Sequence, residues 1–188
     1  MAPLPPATER TLQAVGARRR APGQPTTSEL VRTLRAVAQE GPSLVAVFDA
    51  RSIAGERHLL SAWAHLGRSR SRGEPRLRDR GAEYALYVAG DDQLPRALAK
   101  VGVSDSSEDV VVVAERPLDP ATLVPRLGLE PSGSAYPRPI DEVLMERLGI
   151  SAEERASVPR EAWEGLVLER VALVDLSAPA GHAGTAKH

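Results

Sequence analysis

The sequence predicts a single α/β domain of the α+β kind, in which a small mixed sheet is covered by several helices. Three observations carry this. Two short apolar runs, LVAVFDA (44–50) and DVVVV (109–113), have the length and the β-branched content of buried strands. The segments around them place apolar residues at helical spacing between cap residues. The chain has 188 residues, 42% hydrophobic and 26% charged, which is ordinary composition for one globular domain. In order, the elements read β-α-β-α-α-α-β-α-α-α-α, strands and helices that a layered arrangement must bring together.

Residues 1–25 read as a loose extension rich in proline and arginine, within which TLQAVGARR can form an early strand. The domain body spans 26–176. It opens on a capping box, Thr26 with Glu29, followed by Leu30, Leu34 and Val37 at helical spacing. Gly41-Pro42 stops this helix. After the first core strand, Leu59, Ala62, Trp63 and Leu66 form one apolar stripe of a second helix. Asp79 caps the apolar segment GAEYALYVA, and Gly90 ends it. Asp91 or Asp92 is placed to cap a further helix with Pro95 in its first turn, Leu94, Leu98 and Val101 inward, and Arg96 and Lys100 outward. Asp119-Pro120 opens a helix carrying Leu123, Val124 and Leu127. Residues 128–139 read as a loop. IDEVLMERLG and SAEERAS form two small helices, the second with a Ser151–Glu154 capping box. A last helix, about 160–176, buries Trp163, Val167, Val171 and Val174. Residues 177–188 read as a disordered tail.

The composition excludes several classes. There is no cysteine, hence no disulfide and no thiolate chemistry. No apolar run approaches the ~20 residues that span a bilayer, and the N-terminus lacks the pattern of a secretory signal. The expected location is cytoplasmic. Asparagine is absent and arginine far outnumbers lysine, a bias that high-temperature life or GC-rich codons would each produce.

No catalytic constellation stands out. The glycine signatures of phosphate loops and nucleophile elbows are missing. His58 and His65 lie seven residues apart on one helix, a rise of ~10.5 Å, too far to share a metal. The carboxylate pairs Asp91-Asp92 and Glu153-Glu154 sit where helix N-termini favour negative charge. An enzyme would have to draw on Asp49, Glu56, His58 and Glu83. No cofactor is expected.

Charge is less bland. Arg68, Arg70, Arg72, Arg76, Arg78 and Arg80 face only Glu74 and Asp79, a local +4, while 141–164 carries a local −4. Such a basic run is either a solvated loop or a site for an anion, since the guanidinium fork suits phosphate. Tyr84 and Tyr87 are the only aromatics near it that could stack on bases.

The motifs VAVFDARSIAGERHLLSAW, RGAEYALYVAGDDQLPRALAKVGVSD, the VVVV strand, ERLGISAEER and LVLERVALVDL occur in an order that resembles the TPRKB family, over about residues 27–176. This family is the small subunit of the KEOPS complex, which makes threonylcarbamoyl-adenosine in tRNA. The resemblance implies a subunit without catalysis of its own. It would bind the kinase-like ATPase subunit through hydrophobic helix surfaces, with Leu168, Leu173 and Leu176 as the candidates here. It would also hold the tRNA 3′ CCA end, for which the candidates are Arg76, Arg78, Arg80, Gly90, Gln93 and Arg96. The transferase subunit would be reached through the ATPase. One feature departs from the archaeal pattern: Asp91-Asp92-Gln93-Leu94 stands where a basic residue usually precedes Gln-Ile, so that role would pass to Arg96 or the upstream arginines. Two alternatives stay open. One is a general single-stranded nucleic-acid-binding domain outside KEOPS. The other is a small α/β enzyme using His58 and Glu56.

Overall fold

A computed structural model describes residues 12–177. The expectations for residues 1–11, and for the tail from 178 onward, lie outside the described residues.

The β-branched run Asp109–Glu115 (β3) is one of two inner strands of the sheet. Val45–Asp49 (β2) pairs with one of its edges and Leu12–Arg19 (β1) with the other. A short strand, Leu129–Pro131 (β4), pairs with the far edge of β1, giving the order β2-β3-β1-β4. Every pairing is antiparallel, so the sheet expected to be mixed contains no parallel pair among the described residues. Two further expectations change. The strand inside the N-terminal extension is not peripheral, because β1 lies between β3 and β4, and 12–25 therefore belong to the domain body. The 128–139 segment, read as a loop, contributes β4.

Both faces of the sheet are covered. On one face Ala46, Phe48, Val111 and Val113 pack into the larger core with α2 (Glu56–Ser71), α3 (Arg80–Ala89) and α8 (Trp163–Leu173). On the other, Val45, Val47, Val110, Val112 and Ala114 pack against α1 (Thr27–Gln39) and α5 (Pro120–Arg126). Two-sided burial explains why β3 reads as an unbroken apolar run although its pairing is antiparallel.

The remaining helices are short: α4 (Leu94–Val101), α6 (Glu142–Arg147) and α7 (Ala152–Ala156). The capping boxes at Thr26–Glu29 and Ser151–Glu154 both form. In α4 the first-turn cap differs from expectation. Gln93 is the N-cap, and the one backbone N–H that Asp91 accepts is that of Gln93, at 3.0 Å, rather than one inside the first turn. Its inner face is Ala97 and Val101, while Leu98 is 49% exposed. Gly16 permits a close approach on β1, since a Cβ there would stand 2.3 Å from Ser132 O. No helix among the described residues is long and apolar enough to cross a membrane.

Candidate nucleic-acid and partner interface

Glu83 through Ala89 are all buried, because α3 is enclosed by neighbouring helices. Glu83, the one carboxylate in this run, has no exposure. Its Oε1 accepts from Ser69 Oγ at 3.0 Å and from the Arg76 N–H at 3.1 Å, and its Oε2 lies 2.8 Å from Arg70 Nη2. The same Arg70 nitrogen donates to Leu77 O at 2.8 Å and to Arg78 O at 3.2 Å. A buried charge needs a partner and filled hydrogen bonds. The arginine-rich connection between α2 and α3 is therefore folded around a buried carboxylate.

This organisation divides the arginines. The Arg76 guanidinium donates to Val174 O and to Ser177 O, the latter at 2.8 Å, and so fastens the C-terminal end of the last helix. Arg80 donates to Pro42 O at 2.7 Å, lies 3.0 Å from Glu115 Oε2, and stands 5.3 Å from the Trp63 ring centroid. Two of the three expected phosphate-binding arginines, Arg76 and Arg80, are thus engaged within the fold. Arg78 is exposed, as are Arg68 and Arg72, and Arg72 lies 3.5 Å from Glu74. Arg68 and Arg72 follow each other at i, i+4 near the end of α2, and the bond from Arg70 to Arg78 O holds the Arg78 backbone beside them.

The turn after Gly90 gathers the other expected RNA contacts, but in a neutralised form. Arg96 Nη2 lies 2.9 Å from Asp92 Oδ1 and 3.0 Å from Asp91 Oδ1, and Lys100 Nζ lies 3.0 Å from Asp91 Oδ2. Two carboxylates thus face two cations. Gly90 has φ +59, and a Cβ there would stand 2.7 Å from Arg170 Cβ, so this glycine serves the packing of α3 against α8. Gln93 is part-buried at the start of α4.

The last helix divides as well. Trp163, Val167, Val171 and Val174 are buried, as the spacing predicts. Leu168 is half-buried, Leu173 is 47% exposed, and Leu176 is 81% exposed, the largest value among the exposed apolar side chains. Glu169, Ala172, Leu173, Asp175 and Leu176 line a shallow surface hollow. Asp175 anchors this end: its Oδ2 lies 2.6 Å from His65 Nδ1, and its Oδ1 accepts from Tyr87 Oη at 3.0 Å. Of the three candidate partner residues, Leu173 and Leu176 therefore share the exposed end of the last helix, whereas Leu168 lies more than one turn upstream and outside the hollow.

The two groups named for the enzyme alternative, His58 and Glu56, lie apart in burial. His58 is completely buried; its Nδ1 accepts from the Ala54 N–H at 3.2 Å and its Nε2 donates to Val88 O at 2.8 Å. Burial lowers its pKa to about 4, so the ring is a neutral tie between α2 and α3. Glu56 lies on the surface at the first turn of α2. Asp49 is buried too. Burial alone would raise its carboxyl, but hydrogen bonds from Arg51 and Ser107, with Arg147 3.2 Å away, bring it down to about 2. No group of three or more acidic or histidine side chains could hold a metal ion among the described residues.

The fold and this surface define a small α/β domain with an antiparallel sheet, an exposed apolar helix end and a partly exposed arginine cluster. No family model matches the chain, and no curated protein matches it.

Proposed function

We propose that this chain is a cytoplasmic, non-catalytic subunit of the KEOPS type. It binds a kinase-like ATPase subunit on the exposed end of α8 and, beside the α2–α3 connection, the 3′ end of tRNA, in support of threonylcarbamoyl-adenosine formation by the transferase subunit. The observation that carries this reading is the exposure of Leu173 and Leu176, at 47% and 81%. A leucine pair so exposed on an ordered, hydrogen-bonded helix end suits a hydrophobic partner surface. The order of sequence motifs supplies the identity of that partner.

For RNA, the cations with guanidinium groups to offer are Arg68, Arg72 and Arg78, with Arg76 and Arg80 shaping the loop that presents them. Alanine at 68, 72 and 78 together flattens the salt dependence of tRNA binding by up to about two units, at ~0.7 per single-strand phosphate. Alanine at 76 and 80 lowers stability instead. The second reading, a general single-stranded nucleic-acid binder, is favoured by the same exposed arginines.

Affinity capture of the full chain from its source cells, with mass spectrometry of the bound proteins and sequencing of bound RNA, tests the proposal. It predicts recovery of the kinase-like and transferase subunits together with tRNA. Recovery of diverse RNA without either subunit rejects the KEOPS reading.

A further inference from the structure

Tyr84 and Tyr87, the two tyrosines near the arginine-rich connection, offer no surface to a base. Both have no exposure, and their hydroxyls donate to Leu59 O at 2.9 Å and to Asp175 Oδ1 at 3.0 Å. Trp63 of α2 is different, since it packs against the larger core yet remains part-exposed. Its ring meets that of Tyr84 at 80°, with centroids 6.4 Å apart, and the Arg80 guanidinium lies over it, 5.3 Å from its centroid. Arg80 is itself held by Pro42 O and by Glu115 Oε2. Indole and guanidinium are thus fixed together where the connection enters α3.

Gly67 supplies a second, independent sign. It lies in the interior of α2, four residues after Trp63, where glycine weakens a helix relative to alanine. Close packing does not require it: the residue is exposed, and a Cβ there would meet nothing within 4 Å. Residues four apart on a helix are neighbours, and a helical side chain leans back over the preceding turn. A longer side chain at 67 would lie towards Trp63, and glycine leaves the indole open on that side. Arg68 follows Gly67 directly, and Arg78 precedes Arg80 by two residues; both are exposed. The acids nearby are engaged elsewhere, Glu115 with Arg80, Asp79 with the Ala82 N–H, and Glu74 3.5 Å from Arg72.

We propose that Trp63 and Arg80 form a stacking platform for one nucleobase of a single strand, reached over Gly67, with the flanking phosphates held by Arg68 and Arg78. An indole face and a guanidinium plane each stack on any base, and the exposed arginines at the rim suit a phosphodiester. This inference rests on the RNA reading and assigns to it a residue, Trp63, that the run of arginines does not indicate.

Fluorescence anisotropy of the full chain at one fixed salt concentration, with a labelled ACCA ribotetranucleotide and an abasic strand carrying the same phosphates, tests it. The wild type binds ACCA more tightly than the abasic strand. Trp63→Leu, which keeps an apolar side chain against the core, weakens ACCA at least about ten-fold, as loss of one stacked base requires, and leaves the abasic strand unchanged. Gly67→Gln raises the thermal midpoint through better helix propensity, yet weakens ACCA at least about five-fold by covering the indole. It serves if the leucine variant does not fold. Equal affinity of ACCA for the wild type and a folded variant, or equal affinity of the wild type for the two strands, overturns the platform. If alanine at 68 and 78 still weakens ACCA in that case, the RNA reading stands without it. Failure of the wild type to bind either strand rejects the RNA reading and the platform together.

Discussion

The helices α3 and α8 are apolar over most of their circumference, yet the structure treats them differently. α3 is enclosed by α2, α4 and α8, and its seven residues from Glu83 to Ala89 are buried, including a carboxylate. α8 packs on α2 and α3 along one stripe only and leaves Leu173 and, just beyond its end, Leu176 outside. The same excess of apolar residues therefore has two meanings. In α3 it fills a core, and in α8 it leaves a surface that no other element among the described residues covers. Electrostatics divide the same way. Glu83 in α3 turns inward and gathers the arginine-rich connection, whereas Glu169 and Glu164 of α8 remain at or near the surface.

Inserting a charge into each helix breaks this comparison most severely. Leu86→Arg places an unpaired cation in the larger core, a cost of several kcal/mol that rivals typical domain stability of ~5–15 kcal/mol. The variant should be unfolded by circular dichroism at room temperature. Leu176→Arg, at an exposed position, should change stability by no more than about 0.5 kcal/mol while abolishing association with the ATPase subunit. Unfolding by Leu176→Arg would place that turn in the core and remove the proposed partner surface.

The next effect belongs to Glu83. Glu83→Ala leaves the part-buried Arg70 without its carboxylate and takes acceptors from Ser69 and the Arg76 N–H. A loss of about 3–5 kcal/mol is expected in chemical denaturation. Leucine at 83 with methionine at 70 should recover much of it, because a well-packed apolar pair replaces a buried ion pair. Equal loss in both variants would show that the carboxylate serves something other than the fold of the connection.

A smaller effect is a pH dependence at the junction of α2 and α3. The folded His58 pKa of about 4 lies below the ordinary histidine value of 6.5. Above 6.5 the ring is neutral in both states and contributes no slope. Between about 6.5 and 4 the unfolded chain binds the extra proton, so stability falls as pH falls. The total is on the order of 3 kcal/mol, reached near pH 4. Denaturation midpoints measured from pH 7.5 to 4.5 should show this slope in the wild type and a flatter one in His58→Gln. Asp49 acts lower: its stabilisation is complete above the ordinary carboxylate range and is lost as pH falls towards about 2.

Much of the architecture was legible because local signals agreed with it. Capping residues, the VVVV run, and the spacing of Trp163, Val167, Val171 and Val174 each report a single physical constraint. What escaped depended on tertiary context. β4 covers three residues and ends in proline, too little periodicity to separate it from a loop. β1 gained its inner place in the sheet from pairing partners far away in the chain. A run of arginines looks the same whether solvated or folded back, so Arg76 and Arg80 could not be separated from Arg78. One clue was present: a single carboxylate, Glu83, inside an otherwise apolar helix just after that run. Leu98 faces outward because Ala97 takes the close contact, a choice that spacing alone does not fix. The exposure of Leu173 and Leu176 needed the structure, since the sequence could not say which side of the last helix was covered.

The central claim, that this surface holds the end of tRNA as part of a modification complex, is tested most directly by the affinity of the full chain for two forms of one tRNA. The forms are the intact molecule and the same molecule lacking its terminal CCA, compared by fluorescence anisotropy at a fixed, stated salt concentration. The account predicts at least a ten-fold weaker Kd without the CCA end, and weaker binding of intact tRNA when Arg68, Arg72 and Arg78 are alanine. Equal affinity for both forms, or for an unrelated single strand of the same length, would contradict it.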